Sequence, residues 1–194
     1  MINNNRLFYN SLSCLAWVIV AFLIIPKNVY ADNPDNPAVW ANTCTSNGGK
    51  ILSLAIQFDH QKVSGLTRDF CEFNSNTIVG LEVLSKSTPT LAATFVQELY
   101  ISPIKPIPAP SGNPAYDVCL ELSGTMSINN DATSGYYVPG GQMSMCVFGD
   151  GSMLDAQSLL YLASGSEPDA KALITSTPLP IVIPDIYAKR PAIE

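Results

Sequence analysis

Apolar side chains occupy every second position of residues 52–58, with small or polar residues between them. This two-residue period predicts a β-strand with one buried face. A weaker version of the pattern begins at Met126 and Ile128. Turn-rich stretches follow both segments, so each is expected to be the first strand of a β-hairpin. The returning strands would carry Cys71 and Cys146.

Each hairpin is preceded by a predicted helix. Asn36 and Asn113 are of a residue type that caps helix N-termini, and each is followed by proline, which is tolerated in the first helical turn. Gly48 and Gly124 lie where these helices would need a left-handed residue in order to end. The pattern therefore predicts two short helices, one ahead of each hairpin.

Further helices are predicted after each hairpin. Thr77 and Ser152 stand where N-caps are expected, and Ser152 with Asp155 resembles a capping box with the shorter acid. Apolar residues then recur at helical spacing. The helical segments expected from these signals are 78–84, 89–99, 153–160 and 168–174.

Residues 1–31 are predicted to be a secretory signal peptide. Arg6 places positive charge near the amino end, residues 12–25 form an apolar run, and the expected cleavage lies between Ala31 and Asp32. An uncleaved membrane anchor is the alternative. The run is about fourteen residues long, however, whereas a bilayer-spanning helix needs about twenty. Cys14 begins the run instead of following it, which argues against a lipoprotein.

The four cysteines that remain after cleavage are evenly arranged. Cys44 and Cys71 are 27 residues apart, and so are Cys119 and Cys146, which gives a period of 75. An exported protein meets an oxidising compartment, so these cysteines are expected to form two disulfides. Equal spacing predicts an internal duplication, in which Cys44 pairs with Cys71 and Cys119 with Cys146. A catalytic cysteine is then not expected, because all four are used.

The expected fold class is α+β, with two tandem small repeats, each a helix, a β-hairpin and a helix held by one disulfide. The segments assigned on this basis are the signal peptide 1–31, repeat 1 at 32–100, a proline-rich linker 101–112, repeat 2 at 113–176 and a proline-rich C-terminal tail 177–194. Isoleucines alternate with the prolines, which favours packing of both proline-rich segments against the repeats.

Composition and charge exclude several classes of protein. The chain is 47% hydrophobic and 13% charged, which is typical of a packed core. Its formal net charge is −6, and removal of Arg6 and Lys27 with the leader makes it −8. Such acidity is opposite to the basic surface that binds nucleic acid. No metal-ligand cluster, phosphate-binding loop or mature membrane span is recognisable, so neither a cofactor nor a metal is predicted.

Two motifs resemble a known family. Asn-Pro-Ala at 36–38, followed by a cysteine and a glycine, recurs at 113–115, and Cys-x-Phe-x-Asp-Gly-Ser stands at 146–152. The pattern resembles the short bacterial exported domain of unknown function often labelled putative haemolysin, in two divergent copies. That family usually carries a further cysteine and a tryptophan near the positions of Leu154 and Gln157, so its second disulfide is expected to be absent. Its cysteine pattern is similar to that of small Kazal-type protease inhibitors.

Candidate catalytic and metal-binding residues all have simpler interpretations. His60, the only histidine, lies beside Asp59 without a Gly-x-Ser-x-Gly nucleophile motif and is predicted to be a solvated turn residue. Residues 129–131 suggest a calcium loop but lack the later acidic ligand, so a hairpin turn is expected. Asp69 and Glu72 are expected to be solvated. No catalytic residue is predicted.

The sequence therefore favours an exported, non-enzymatic module, in the periplasm or the extracellular space of a bacterium. Its partner would be an unknown protein or envelope component, and the module would act either like a protease inhibitor or in an envelope interaction. An inhibitor needs an exposed, rigid loop near a cysteine, for which the segments 59–68 and 131–142 are the candidates. The alternative is an exported hydrolase with an unrecognised serine or acidic active site.

Overall fold

The computed structural model describes residues 36–58, 61–73, 76–103, 109, 112–126, 134–138 and 141–186. The signal peptide and its cleavage site at Ala31 and Asp32 lie outside the described residues. Five α-helices are present in the described part: α1 (Pro37–Ser46), α2 (Leu91–Glu98), α3 (Pro114–Glu121), α4 (Ala156–Ala163) and α5 (Pro168–Ala172), together with a 3-10 helix at Leu81–Leu84. The strands are β1 (Lys50–Phe58), β2 (Gln61–Glu72), β3 (Ile78–Gly80), β4 (Thr125–Met126), β5 (Ser134–Val138), β6 (Gly141–Met143), β7 (Met145–Val147) and β8 (Met153–Asp155).

The eight strands form one antiparallel sheet in the order β4-β7-β8-β3-β2-β1-β5-β6. Residues 36–103 are called the N-half below, and residues 112–186 the C-half. The halves meet at two places in the sheet: β3 pairs with β8 through Val79 and Leu154, and β1 pairs with β5 from Ala55 to Phe58. The fold is therefore α+β, as expected, and both halves share a single sheet.

The strand registers of the two halves are related by a constant offset. Cys71 pairs with Val79 in the N-half, and Cys146 pairs with Leu154 in the C-half. Adding 75 to both members of an N-half pair reproduces all five pairs of the β4–β7 and β7–β8 ladders. The β3–β8 pair itself joins residues that differ by 75.

The first helix of each half forms as its capping signals predict. The Asn36 side chain accepts a hydrogen bond from Ala38 N, and the Asn113 side chain accepts one from Ala115 N, both at 3.0 Å. Gly48 has the predicted left-handed conformation, with φ 80°. The prediction of a left-handed Gly124 is wrong.

The residue that takes this conformation after α3 is Ser123, with φ 62°. Gly124 is required for a different reason, which it shares with Gly49. A Cβ on Gly49 would lie 2.7 Å from both sulfur atoms of the Cys44–Cys71 disulfide. One on Gly124 would lie within 2.8 Å of the sulfurs of Cys119 and Cys146. Each glycine thus makes room for a disulfide, and the bonded pairs are those that the equal spacing predicts.

The prediction that helices begin directly after Thr77 and Ser152 is wrong. Residues 78–80 and 153–155 instead form the strands β3 and β8. The α4 N-cap is Asp155, whose carboxylate accepts from Ser158 N at 3.0 Å, so Ser152 is not part of a capping box for this helix. As strands, these apolar triplets pair with a neighbouring strand on both sides, which a helical turn would not allow.

The predicted positions of α2 and α5 are confirmed. Helix α2 lies within the predicted segment 89–99, and the hydroxyl of its N-cap Thr90 accepts from Ala93 N at 3.1 Å. Helix α5 lies within 168–174.

The sheet separates two hydrophobic clusters. The larger one packs helices from both halves on one face of the sheet and includes the contact of Phe95 with Phe148, whose ring centroids are 4.9 Å apart. The smaller lies on the opposite face and includes Phe70, Tyr136 and Met153. The described residues belong to one compact unit.

The sheet is strongly curled. Tyr136 in β5 is four strands away from Met153 in β8, which is about 19 Å in a flat sheet. Its hydroxyl nevertheless lies 3.4 Å from the Met153 sulfur. Tyr136 also packs edge-on against Phe70, with centroids 5.1 Å apart. The β5–β6 hairpin therefore folds back over the face of the sheet that the helices leave open.

The described part of the proline-rich C-terminal segment packs against the N-half. The Gln97 side chain donates to the carbonyl of Ile174 at 2.7 Å, and the Thr94 hydroxyl accepts from Leu179 N at 3.0 Å. Ile186 is buried in the larger cluster. Residues 174–179 are thus held along α2.

Candidate binding surface

Two serine–aspartate pairs stand out, because such pairs could belong to a hydrolase. In the first, one oxygen of Asp150 accepts from the amide and the hydroxyl of Ser152, at 3.0 and 2.7 Å. The other oxygen accepts from Leu91 N at 2.7 Å, and the Ser152 hydroxyl accepts from Ala92 N at 3.0 Å. Both side chains therefore satisfy free amides at the N-terminus of α2, and Ser152 is buried.

The second pair lies at the start of α4. Asp155 accepts from the amide and the hydroxyl of Ser158, at 3.0 and 3.2 Å, and the Ser158 hydroxyl in turn accepts from Ile78 N at 2.8 Å. Burial raises the pKa of Asp155, although its hydrogen bonds to Ser158 oppose the shift. Ser158 is 1% exposed, so a substrate cannot reach its hydroxyl in this conformation.

A partly buried ion pair lies near the centre of the sheet. The Arg68 guanidinium lies 3.0 Å from a Glu82 carboxylate oxygen and donates to the Gly151 carbonyl at 2.9 Å. The same Glu82 oxygen accepts from Met153 N at 3.0 Å. Burial raises the pKa of Glu82, while Arg68 and the backbone hydrogen bonds lower it. The Glu82 carboxylate lies against Gly80, where any Cβ would collide with it.

The structure does not bring the other sequence candidates together. Asp69 is exposed, whereas Glu72 lies 4.0 Å from Lys50, and an odd sequence separation places Asp69 and Glu72 on opposite faces of β2. His60, its neighbour Asp59 and the segment 129–131 lie outside the described residues.

The candidate loop 59–68 contains an unusual bulge. In the β1–β2 ladder Thr67 pairs with Ala55 and Lys62 pairs with Gln57, so residues 63–66 all lie opposite the single residue Ile56. Gly65 has φ 79°, a left-handed value that glycine adopts without strain. A bulge bends its strand and redirects the side chains that it carries. The exposed large apolar side chain of this bulge is Leu66, which is 54% exposed.

The bulge sits on a braced frame, referred to as the arm: residues 55–58 of β1, 61–68 of β2, and the strands β5 and β6. Strand β5 pairs with β1 from Ala55 to Phe58, on the side away from β2. The Lys62 ammonium lies 5.9 Å above the Tyr137 ring, an attractive cation–π contact. The arm therefore holds the bulge between paired residues on both sides.

Three large apolar side chains on the arm are partly exposed. Leu66 is 54% exposed, Tyr137 38% and Ile56 37%. Ile56 and Tyr137 point to opposite faces of the sheet, because Tyr137 pairs with Ala55. Apolar side chains that project from a rigid strand frame are suited to entering a pocket on a partner protein.

Elsewhere on the described surface there is an open cleft of about 480 Å³, lined by residues that include Asn47, Phe73, Glu167 and Asp169. The described residues contain no group of three or more side chains suited to holding a metal ion. Within the same part of the chain, no helix is both long and apolar enough to cross a membrane.

The chain matches no family model, no curated protein and no solved structure. The resemblance to the haemolysin-labelled family thus depends on the two motifs alone. Sequence reasoning placed a candidate loop at 59–68 but missed the bulge and the ion pair. The only sequence signal for the bulge is Gly65 within an otherwise strand-forming segment.

Proposed function

We propose that the protein is an exported, non-enzymatic binding module, built from two copies of one disulfide-stabilised unit, that contacts a protein of the cell envelope or extracellular space through the bulge 63–66. The observation that carries this proposal is the exposure of Leu66 on a frame that is hydrogen-bonded on both sides of the bulge.

The frame favours binding, because a preorganised loop loses little conformational entropy when a partner immobilises it. The β1–β2 register resumes within one residue of the bulge on either side, at Lys62 and Thr67. Further along β2, Cys71 is bonded to Cys44. An exposed and braced segment near a disulfide is also what a protease inhibitor presents to its target. On that basis Leu66 would enter an apolar pocket of a protease.

The hydrogen bonds of the serine–aspartate pairs support a non-enzymatic role. A hydrolase needs a nucleophile with access to substrate and a base free to accept its proton. The hydroxyls of Ser152 and Ser158 instead accept from backbone amides of the N-half. An exported hydrolase is the alternative, and it would require a conformation in which one of these serines is released.

Several features support the duplication. The offset of 75 relates the strand registers and the two disulfides. It also relates residues with positive φ: Asn76 to Gly151, and Gly48 to Ser123. It also relates the hydrogen bonds in which Phe73 N donates to the Thr77 carbonyl and Phe148 N to that of Ser152, both at 2.9 Å.

The proposal is tested with the purified mature protein and two variants that share one design. Leu66→Asp places a charge on the bulge, and Leu120→Asp places one on α3 at a position with the same exposure of 54%. Partners are captured from envelope and extracellular fractions, and the affinity of each is then measured with purified components; inhibition of a panel of serine and cysteine proteases is measured in parallel.

We expect the Leu66→Asp variant to lose at least about tenfold in affinity for a partner, because its anchor becomes charged, and the Leu120→Asp variant to retain wild-type affinity. Equal affinities of both variants would contradict a contact at the bulge. Any turnover in a hydrolase substrate screen that disappears in Ser152→Ala, Ser158→Ala or His60→Ala would contradict the non-enzymatic proposal.

A further inference from the structure

The contact between the N-half and the C-half, called the seam below, contains the β3–β8 pair and the β1–β5 ladder, and it is reciprocal around the β3–β8 pair. At its centre Val79 pairs with Leu154, and both are fully buried. On one side the amide of Ile78 donates to a side chain of the C-half, Ser158. On the other the amide of Met153 donates to a side chain of the N-half, Glu82. The two donating amides are 75 residues apart, so each half supplies the same donor to the other.

The segments that follow the last helix of each half also cross the seam. After α2, Ile101 N donates to the Ala163 carbonyl at the end of α4, at 3.1 Å. After α5, the carbonyl of Ile174 and the amide of Leu179 are hydrogen-bonded to side chains of α2. The segment that follows the last helix of each half is therefore hydrogen-bonded to a helix of the other half, as in a dimer whose subunits exchange arms.

Each disulfide joins two cysteines of the same half, and no disulfide connects the N-half to the C-half in the described part of the chain. Cys44 is bonded to Cys71 in the N-half, and Cys119 to Cys146 in the C-half. The four cysteines of the described part are thereby accounted for, so only the chain between residues 103 and 112 joins the halves covalently. The rest of the seam consists of a buried apolar centre and surrounding hydrogen bonds, which is the anatomy of a protein–protein interface.

We propose that the seam is an interaction surface for a second copy of this chain, and that two copies exchange halves across it to form a dimer with two complete seams. The N-half of one copy then binds the C-half of the other. Every contact of the monomer is retained, because an exchanged dimer changes only the path of the connecting segment. The side chains that form hydrogen bonds across the seam differ between the halves: they are Glu82 and Arg68 in the N-half, and Ser158 and Asp150 in the C-half. An N-half therefore fits a C-half and not a second N-half.

The inference does not depend on the binding partner of the proposed function, and its test uses none. A protease site is placed in the segment 104–108 of the mature chain. The protein is unfolded in denaturant with both disulfides intact and refolded at low and at high concentration. Size-exclusion chromatography with light scattering gives the mass before and after cleavage.

We expect a dimer after refolding at high concentration, and cleavage should convert it to particles of monomer mass, each containing both fragments. A dimer formed through another surface would keep its mass after cleavage. That result would overturn the proposal, and so would a monomer at every concentration or a cleaved monomer whose fragments separate at once.

A variant links the result to the seam. Ser158→Ala removes the acceptor of Ile78 N, and the cleaved fragments should associate about tenfold more weakly, since a buried amide loses its hydrogen bond. Ser164→Ala is the control, because the Ser164 hydroxyl bonds only to nearby residues of its own half. Equal dissociation constants for both variants would contradict a contribution of Ser158 to the association.

Discussion

Val79 and Leu154 pair at the centre of the sheet, and neither side chain is exposed although each lies in a strand of only three residues. Strands this short form because each pairs on both sides: β3 lies between β2 and β8, and β8 lies between β3 and β7. The pair therefore joins the two ladders of the N-half and the C-half into one sheet.

The first prediction concerns this pair. Leu154→Ala should lower the free energy of unfolding by about 2–5 kcal/mol, because it leaves a cavity in the packed centre of the molecule. Val182→Ala, at a position that is 95% exposed, should change it by less than about 0.5 kcal/mol. Urea unfolding followed by circular dichroism measures both. Similar values for the two variants would show that the Leu154 side chain contributes little to stability.

The second prediction concerns the glycine beside each disulfide. Gly49→Ala should destabilise the protein by about 1–3 kcal/mol, because the new methyl group would overlap both sulfurs of the Cys44–Cys71 bond. A fraction of the molecules should also retain free thiols after oxidative refolding. The matched control is Gly149→Ala, where no atom lies within 4 Å of the added Cβ. Thiol titration and urea unfolding compare the two, and a fully oxidised Gly49→Ala variant of wild-type stability would refute the packing argument.

The third prediction is a pH dependence. Burial raises the pKa of Glu82 above its ordinary value of 4.5, so the folded protein holds this proton to a higher pH than the unfolded chain does. The contribution of Glu82 to stability is then most favourable below pH 4.5 and is lost as the pH rises through the folded-state pKa. Glu82→Gln keeps an oxygen that can accept from Met153 N but does not titrate.

The free energy of unfolding of the wild type, measured between pH 4.5 and 8, should therefore fall more steeply with rising pH than that of Glu82→Gln. Glu98→Gln removes an exposed carboxyl at the end of α2 and controls for the change in net charge. Parallel profiles for the wild type and Glu82→Gln would mean that Glu82 does not titrate differently in the folded and unfolded states.

The fourth prediction concerns the cap that the C-half places on α2. Asp150→Ala removes an acceptor from Leu91 N and from Ser152, and should cost about 0.5–2 kcal/mol, the usual value of an N-cap side chain. Asp150→Asn keeps one acceptor oxygen and should lose less. In a double-mutant cycle with Ser152→Ala the two losses should not add, because the side chains are bonded to each other. Strictly additive losses would argue against a shared cap.

Several parts of the fold could be predicted because their signals are local. Asn36 and Asn113 cap helices through amides two residues away, and β1 alternates along its own length. The disulfide pairs followed from equal spacing. The strands β3 and β8 could not be predicted, because three apolar residues fit a helix as well as a strand. Ser152 was predicted to cap the helix that follows it, but its hydroxyl accepts from the amide of Ala92 in α2, 60 residues earlier.

The candidate site divides in the same way. Sequence reasoning selected the loop 59–68 for its position between a strand and a cysteine. The bulge at 63–66 depends on how β2 pairs with β1, and its bracing depends on β5, which arrives from the C-half. The ion pair of Arg68 with Glu82 likewise depends on strand pairing, because the β2–β3 register that pairs Phe70 with Gly80 continues to these two residues.

The sequence by itself determined the N-caps Asn36 and Asn113, the first hairpin and the disulfide partners, because each is encoded by residue types at short or regular spacing. Only the tertiary structure decided that the halves share one sheet, that Val79 meets Leu154 and that Leu66 projects from a bulge. Those features depend on pairing between segments far apart in the chain, where the free energy comes from burial and hydrogen bonds that no local pattern contains.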